Sequence, residues 1–198
     1  GPTDSLILAD KTADPHIVAT DLVSQAEHGY NSPVWLVTDD RALAEAVMEM
    51  VPKLIDDLPA VNCENATAAW RDYAEVIVCA DREEMAACSD EYAPEHLTVQ
   101  AGDLDWWLAR LTCYGSLFLG EETTVSYGDK AAGTNHVLPT SRTARFSSPL
   151  GVYDFQKRSS LIEVSEAGAQ TLGRIAADLA YGEGLQAHAQ AAEMRLKS

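Results

Sequence analysis

Five short apolar runs, at residues 5–10, 34–38, 74–79, 97–100 and 115–120, alternate with stretches of helical character. That alternation constrains the fold more than any other feature. Strands separated by helix-length segments pair in parallel, and a parallel sheet needs helices over both faces. Each intervening stretch has its own start signal. Asp14 precedes Pro15, an N-cap followed by proline at the first helical position, and that helix is expected to run to about His28 and end at Gly29. Asp39 or Asp40 caps a second helix carrying Leu43, Val47 and Met50; Leu54 continues the stripe, but Pro52 is expected to kink or end the helix first. Residues 65–73 read as a third helix. Asp81 starts a fourth that ends before Pro94, and Asp103 starts a short fifth with Trp106, Trp107 and Leu111.

After Gly120 the pattern changes. Residues 121–150 are rich in Gly, Ser, Thr and Pro and have no clear period, which in a long segment marks function or disorder. From Tyr153 onward the chain reads as helical, with an apolar stripe of Leu172, Ile175, Ala176 and Leu179, a break at Gly182 and Gly184, and a last helix from Leu185 to about Leu196. The expected division is an α/β domain over 1–150 and a helical segment over 151–198.

A formal net charge of −17 argues against a nucleic-acid surface, which needs basic patches, and against anionic membranes. No apolar run is long enough to span a bilayer, and no signal-peptide pattern is present. The four cysteines lack CxxC spacing, so neither a zinc knuckle nor a disulfide framework is expected, and a reducing cytoplasm is the default localisation. The chain opens on Gly1-Pro2 without a methionine, as the middle of a longer protein would, or a processed start.

The residues able to carry chemistry fall in four places. Tyr92-Ala93-Pro94-Glu95-His96-Leu97 sets a carboxylate beside an imidazole where a helix should meet a strand; both are natural proton carriers near neutral pH. Gln25 and His28, three apart, share a face at a helix C-terminus: either a divalent-metal half-site or a histidine favoured by the helix dipole. The glycine-rich loop around Asp129, Lys130 and His136 carries ligands or proton carriers within one segment. Glu183 and His188 flank the last break, with surface helix residues as the plain alternative. His16 has no assigned role.

As an ordered set these motifs resemble the histidinol dehydrogenase family. The match runs from Gly1-Pro2-Thr3-Asp4 through Gln25/His28, Ala93-Pro94-Glu95-His96-Leu97, Phe118-Leu119-Gly120 and Gly133-Thr134-Asn135-His136-Val137-Leu138-Pro139-Thr140 to His188. The resemblance implies a Rossmann-like domain with a helical C-terminal extension, and a zinc enzyme that oxidises an alcohol to a carboxylate through an aldehyde with two NAD. It implies Gln25, His28, Asp129 and His188 as zinc ligands, the last reaching into a partner's site, and hence a homodimer with shared active sites. It implies Glu95 and His96 as the acid–base pair: His96 takes the alcohol proton and Glu95 activates water. His136 and Glu183 match substrate contacts, and a carboxylate at Glu183 suits a substrate ammonium. The cofactor contacts are not assigned. The family's N-terminal half, which supplies much of the NAD site, is missing, so activity of these 198 residues alone is not expected, and a non-catalytic metal-binding or dimerisation fragment is the reading from a different class.

L-Histidinol, oxidised to L-histidine, is the default substrate. Trp106-Trp107, residues 113–116 and Gly128-Asp129-Lys130 look instead like the sulfopropanediol dehydrogenase branch, which takes 2,3-dihydroxypropane-1-sulfonate to sulfolactate, whereas residues 150–158 look like histidinol dehydrogenases. Lys130 or Arg142 is suited to an anionic substrate group, with a solvated surface charge as the plain alternative.

Overall fold

The computed structural model describes residues 3–196. Gly1 and Pro2, the start of the first family motif, lie outside them. The chain forms two compact units, one ending at Phe155 and the other beginning at Gln156.

In the first unit, β1 (Ser5–Ala9) is the central strand, buried along its whole length. β2 (Val34–Thr38) and β4 (His96–Gln100) flank it, and β3 (Ala74–Val78) and β5 (Ser116–Leu119) lie outside, giving the order β3-β2-β1-β4-β5 with every pairing parallel. Strand side chains alternate between faces. Ile7 and Ala9 therefore point into one core with α1 (Pro15–Ala26), α2 (Arg41–Asp56) and α3 (Ala60–Tyr73). Leu6 and Leu8 point into the other, against Met85 and Ala86 of α4 (Arg82–Tyr92) and Trp107 of α5 (Leu104–Arg110). This is a Rossmann-like sheet whose order reverses between β1 and β4.

Three local expectations need correction. Pro52 does not end α2, which continues to Asp56. Val51 and Ile55 are buried beside it, and two seated aliphatic side chains contribute about 1.5–3 kcal/mol each, against about 3 kcal/mol for the proline. Helix α3 starts at Ala60, five residues ahead of the expected 65, because Ala66 and Ala69 bury its face on the sheet core. In the irregular stretch, α6 (Val125–Lys130) is helical and carries Asp129.

The second unit is a helical pair, α7 (Glu166–Gly182) and α8 (Gln186–Glu193), with no regular element over 156–165, although the sequence reads helical there. Ser165 caps α7 through Gly168 N. The expected apolar stripe does not pack against α8. The helices meet through small residues, Gly173, Ala177 and Ala180 on α7 and Ala189 on α8, while Leu172, Ile175 and Leu179 stay 53%, 52% and 64% exposed. Small residues allow close backbone approach; a Cβ on Gly173 would come within 2.9 Å of Leu196.

Candidate active site

A 12-residue helix is about 18 Å long, and a five-residue strand about 17 Å. So α1, returning from the carboxyl end of β1, delivers its own C-terminus to the amino edge of the sheet. Gln25 sits in its last turn and His28 in the turn just beyond. At the same edge, residues 3–4 lead into β1 and Glu95 leads into β4, where Ser5 and His96 are register partners. The expected helix-to-strand joint is present. Helix α4 ends at Tyr92, Ala93 turns the chain in the left-handed region (φ 47°), and β4 starts at His96.

One cavity of about 270 Å³ opens there, lined by Thr3, His28, Glu95, His96, Asp129, Lys130 and His136. Five of the eight residues that the family match assigns a catalytic, metal or substrate role thus share one cavity. Gln25 lies behind it, buried, its Nε2 donating to Thr3 Oγ1 at 2.9 Å; the Thr3 hydroxyl in turn bonds the Glu95 carboxylate. Glu27 turns away and accepts from Asn62 of α3. Glu183 and His188 belong to the second unit, exposed on either side of a break where Gly184 adopts φ +77°. Of the two cations considered for an anionic group, Lys130 lines the cavity. Arg142 instead donates to the Glu91 carbonyl.

Glu95 and His96 are both buried, at 6% and 5% exposure. Burial raises the Glu95 carboxyl above its ordinary range, opposed by the Thr3 hydroxyl, the neighbouring imidazole and the Asp4 amide. His96 Nδ1 lies 3.0 Å from the Asp4 carbonyl oxygen. A carbonyl only accepts, so this contact assigns the hydrogen to Nδ1 and leaves the Nε2 lone pair free. Nε2 lies 4.0 Å from Asp129 Oδ1.

Thr3 and Asp4 are the site residues that the sequence reading missed. Asp4 N donates to Glu95 Oε2 at 3.2 Å, and Glu95 N donates to Asp4 Oδ1 at 2.6 Å, a reciprocal pair across 91 residues. Parallel pairing between distant strands leaves no local pattern; both residues lie in the first segment of the family match and just ahead of the central strand, but neither was given a role.

For zinc, Gln25, His28 and Asp129 offer an amide oxygen, an imidazole nitrogen and a carboxylate, a donor chemistry that suits a borderline divalent ion. The Gln25 bond to Thr3 is made by its Nε2, not by the amide oxygen that a metal would take. Among the described residues, no three His, Cys, Asp or Glu side chains are gathered closely enough to hold a metal ion by themselves.

The sheet and the buried Glu95–His96 pair define an α/β protein whose candidate site sets a carboxyl beside an imidazole, two groups chemically able to exchange protons. The chain belongs to the histidinol dehydrogenase family, whose match covers residues 1–196. It is 69% identical over 196 residues to a sulfopropanediol 3-dehydrogenase from Ruegeria pomeroyi, covering 99% of this chain and 45% of that protein. It is 50% identical over 197 residues to a histidinol dehydrogenase from Ralstonia nicotianae, covering all of this chain and 44% of that one. The crystal structure of histidinol dehydrogenase from Elizabethkingia anophelis superposes with a TM-score of 0.86 at 36% identity, over 98% of this chain and 44% of that one. The chain therefore spans a little under half the length of these relatives. No helix among the described residues is long and apolar enough to cross a membrane.

Proposed function

We propose that this chain contributes the acid–base and metal-binding half of an NAD-linked dehydrogenase that oxidises a small polar alcohol to a carboxylate. The observation that carries the reading is the single cavity on which Glu95, His96, His28, Asp129 and His136 converge. The balance is R–CH2OH, two NAD+ and water giving R–COO−, two NADH and three protons. His96 Nε2, its lone pair free because Nδ1 faces the Asp4 carbonyl, takes the alcohol proton as hydride leaves carbon. Glu95 takes a proton from the water that adds to the aldehyde, and the hydrate loses the second hydride. Its raised carboxyl suits it to that exchange. His136, on the cavity wall, would contact substrate, and Glu183 would do so where the substrate carries an ammonium group, as L-histidinol does. Gln25, His28, Asp129 and the His188 of a second copy would hold zinc, which when bound polarises the substrate oxygen as a Lewis acid. The exposed Leu172, Ile175 and Leu179 face supports a homodimer.

The substrate favoured here is a sulfonated diol, with L-histidinol second. This reverses the order drawn from sequence. What supports the change is 69% identity to the sulfopropanediol relative against 50% to a histidinol dehydrogenase, together with Lys130 on the cavity wall. The test is NADH production by the full-length protein with zinc and NAD, on 2,3-dihydroxypropane-1-sulfonate and on L-histidinol. The expected result is turnover of the diol. Lys130→Met should raise KM for it by about tenfold or more, the worth of a lost charged hydrogen bond, and leave any histidinol turnover unchanged. Preference for histidinol, with Lys130→Met silent, would overturn the diol reading. No NADH from either alcohol in a metal-loaded protein would favour the non-catalytic reading.

A further inference from the structure

We infer that Asp4 is the positioning residue of this site, holding Glu95 and His96 in register by three of its own groups at once. The inference rests on the dehydrogenase reading of the cavity. Asp4 is 5% exposed, so its carboxylate must find its partners within the protein. It accepts from the backbone amides of Glu95, at 2.6 Å, and of Ser141, whose segment follows the His136 loop. Its own amide donates to the Glu95 carboxylate at 3.2 Å. Its carbonyl accepts from His96 N at 3.3 Å and faces His96 Nδ1 at 3.0 Å. No other residue bonds both members of the acid–base pair among the hydrogen bonds described above.

The two roles separate cleanly. The Asp4 amide and carbonyl act directly, orienting one carboxylate oxygen of Glu95 and selecting the His96 tautomer that leaves Nε2 able to accept. The Asp4 carboxylate acts one step back. By anchoring the amides of Glu95 and Ser141 it holds residue 4 against β4, so that its carbonyl stays over the imidazole. Asparagine has nearly the same shape but is uncharged and has a single acceptor oxygen, so it holds two amide donors less well than a carboxylate does.

The test uses the full-length protein and the variants Asp4→Ala, Asp4→Asn and Asp4→Glu. Two readouts are taken: kcat and KM on the preferred alcohol, and the 15N resonances of the histidine rings, with His96 assigned by its loss in His96→Asn. Misplacing a catalytic group by about an ångström costs on the order of 10²-fold. Asp4→Ala and Asp4→Asn are expected to lower kcat by about that factor with KM within about twofold, and to convert His96 from the pure Nδ1–H tautomer to a mixture. Asp4→Glu, which keeps both acceptor oxygens, should recover part of both. A purely structural role predicts loss of folded protein with native kinetics and tautomer in what remains, and that result would overturn the inference. Asp4→Asn settles the matter where Asp4→Ala does not fold. The tautomer readout needs no turnover, so it decides the role of Asp4 even where neither alcohol is oxidised and the dehydrogenase reading fails.

Discussion

Glu95 shows what the site costs. Its carboxyl is buried, and its pKa in the folded protein is raised above the ordinary value of 4.5. The folded state therefore binds the proton more tightly than the unfolded chain does. The stabilisation this gives is fully present below the unfolded pKa and is lost as pH rises through the folded one. Once pH has risen through the folded pKa an ionised Glu95 weighs against folding, so at pH 8 Glu95→Gln should melt at the same temperature as the native protein or higher. Below pH 4.5 the difference should close. Thermal melts at the two pH values check this. The same substitution should lower kcat by about 10²–10⁴-fold, the usual worth of a general base. An active Glu95→Gln, or one that is less stable at pH 8 than at pH 4 relative to the native protein, would contradict the reading. At this scale the sequence was informative where the chemistry is local, as with Glu95-His96 and Gln25/His28. It placed Thr3 and Asp4 in the first family motif but gave them no role, which comes from contacts to Gln25 and to Glu95, 22 and 91 residues away.

The elements act by where they end. Helix α1 matches its strand in length, so its C-terminus and the amino ends of β1 and β4 meet at one edge. The entry to β5 is locked to the same edge. Gly115 N donates to the Pro94 carbonyl and Ser116 N to the Glu95 carbonyl, and a Cβ on Gly115 would come within 2.5 Å of that Glu95 oxygen, with Pro139 at 3.2 Å on another side. Backbone cannot yield as a flexible side chain can. Gly115→Ala should therefore cost about 1–3 kcal/mol, the usual range for overpacking, and displace Glu95 as well. The expected outcome is a lower denaturation midpoint together with a fall in kcat larger than the loss of folded protein explains. Gly115→Ala with native midpoint and kcat would show that the edge is more tolerant than this close approach indicates. The element errors made from sequence have a common cause. Pro52 and the start of α3 were read from local propensity, and burial against the sheet outweighed it.

At the scale of the whole molecule, α7 turns its large apolar residues outward and packs on α8 through glycine and alanine. A proposed homodimer in which His188 of one copy completes the site of the other makes a quantitative prediction. His28→Ala and His188→Ala should each be inactive alone. Mixed and reassembled, half of the dimers are hybrid, and each hybrid has one intact site, so about a quarter of native activity should return. No recovery on mixing would mean that each copy builds its site alone.

Much of this protein was legible from its linear order. The alternation of strands and helices determined a parallel sheet covered on both faces, because period and capping are local properties. The Ala93-Pro94-Glu95-His96 joint, and the placing of His28, Asp129 and His136 as candidates, came from residue type and spacing in the same way. Tertiary structure alone decided the rest. Pairing of β1 with β4 brought Asp4 over His96, and the length of α1 brought Gln25 to Thr3. It also determined that Lys130 rather than Arg142 faces the cavity, and that the α7 stripe stays exposed. The physical reason is that register between distant strands, and the face a helix buries, follow from which surfaces pack together. No local window of sequence contains that information.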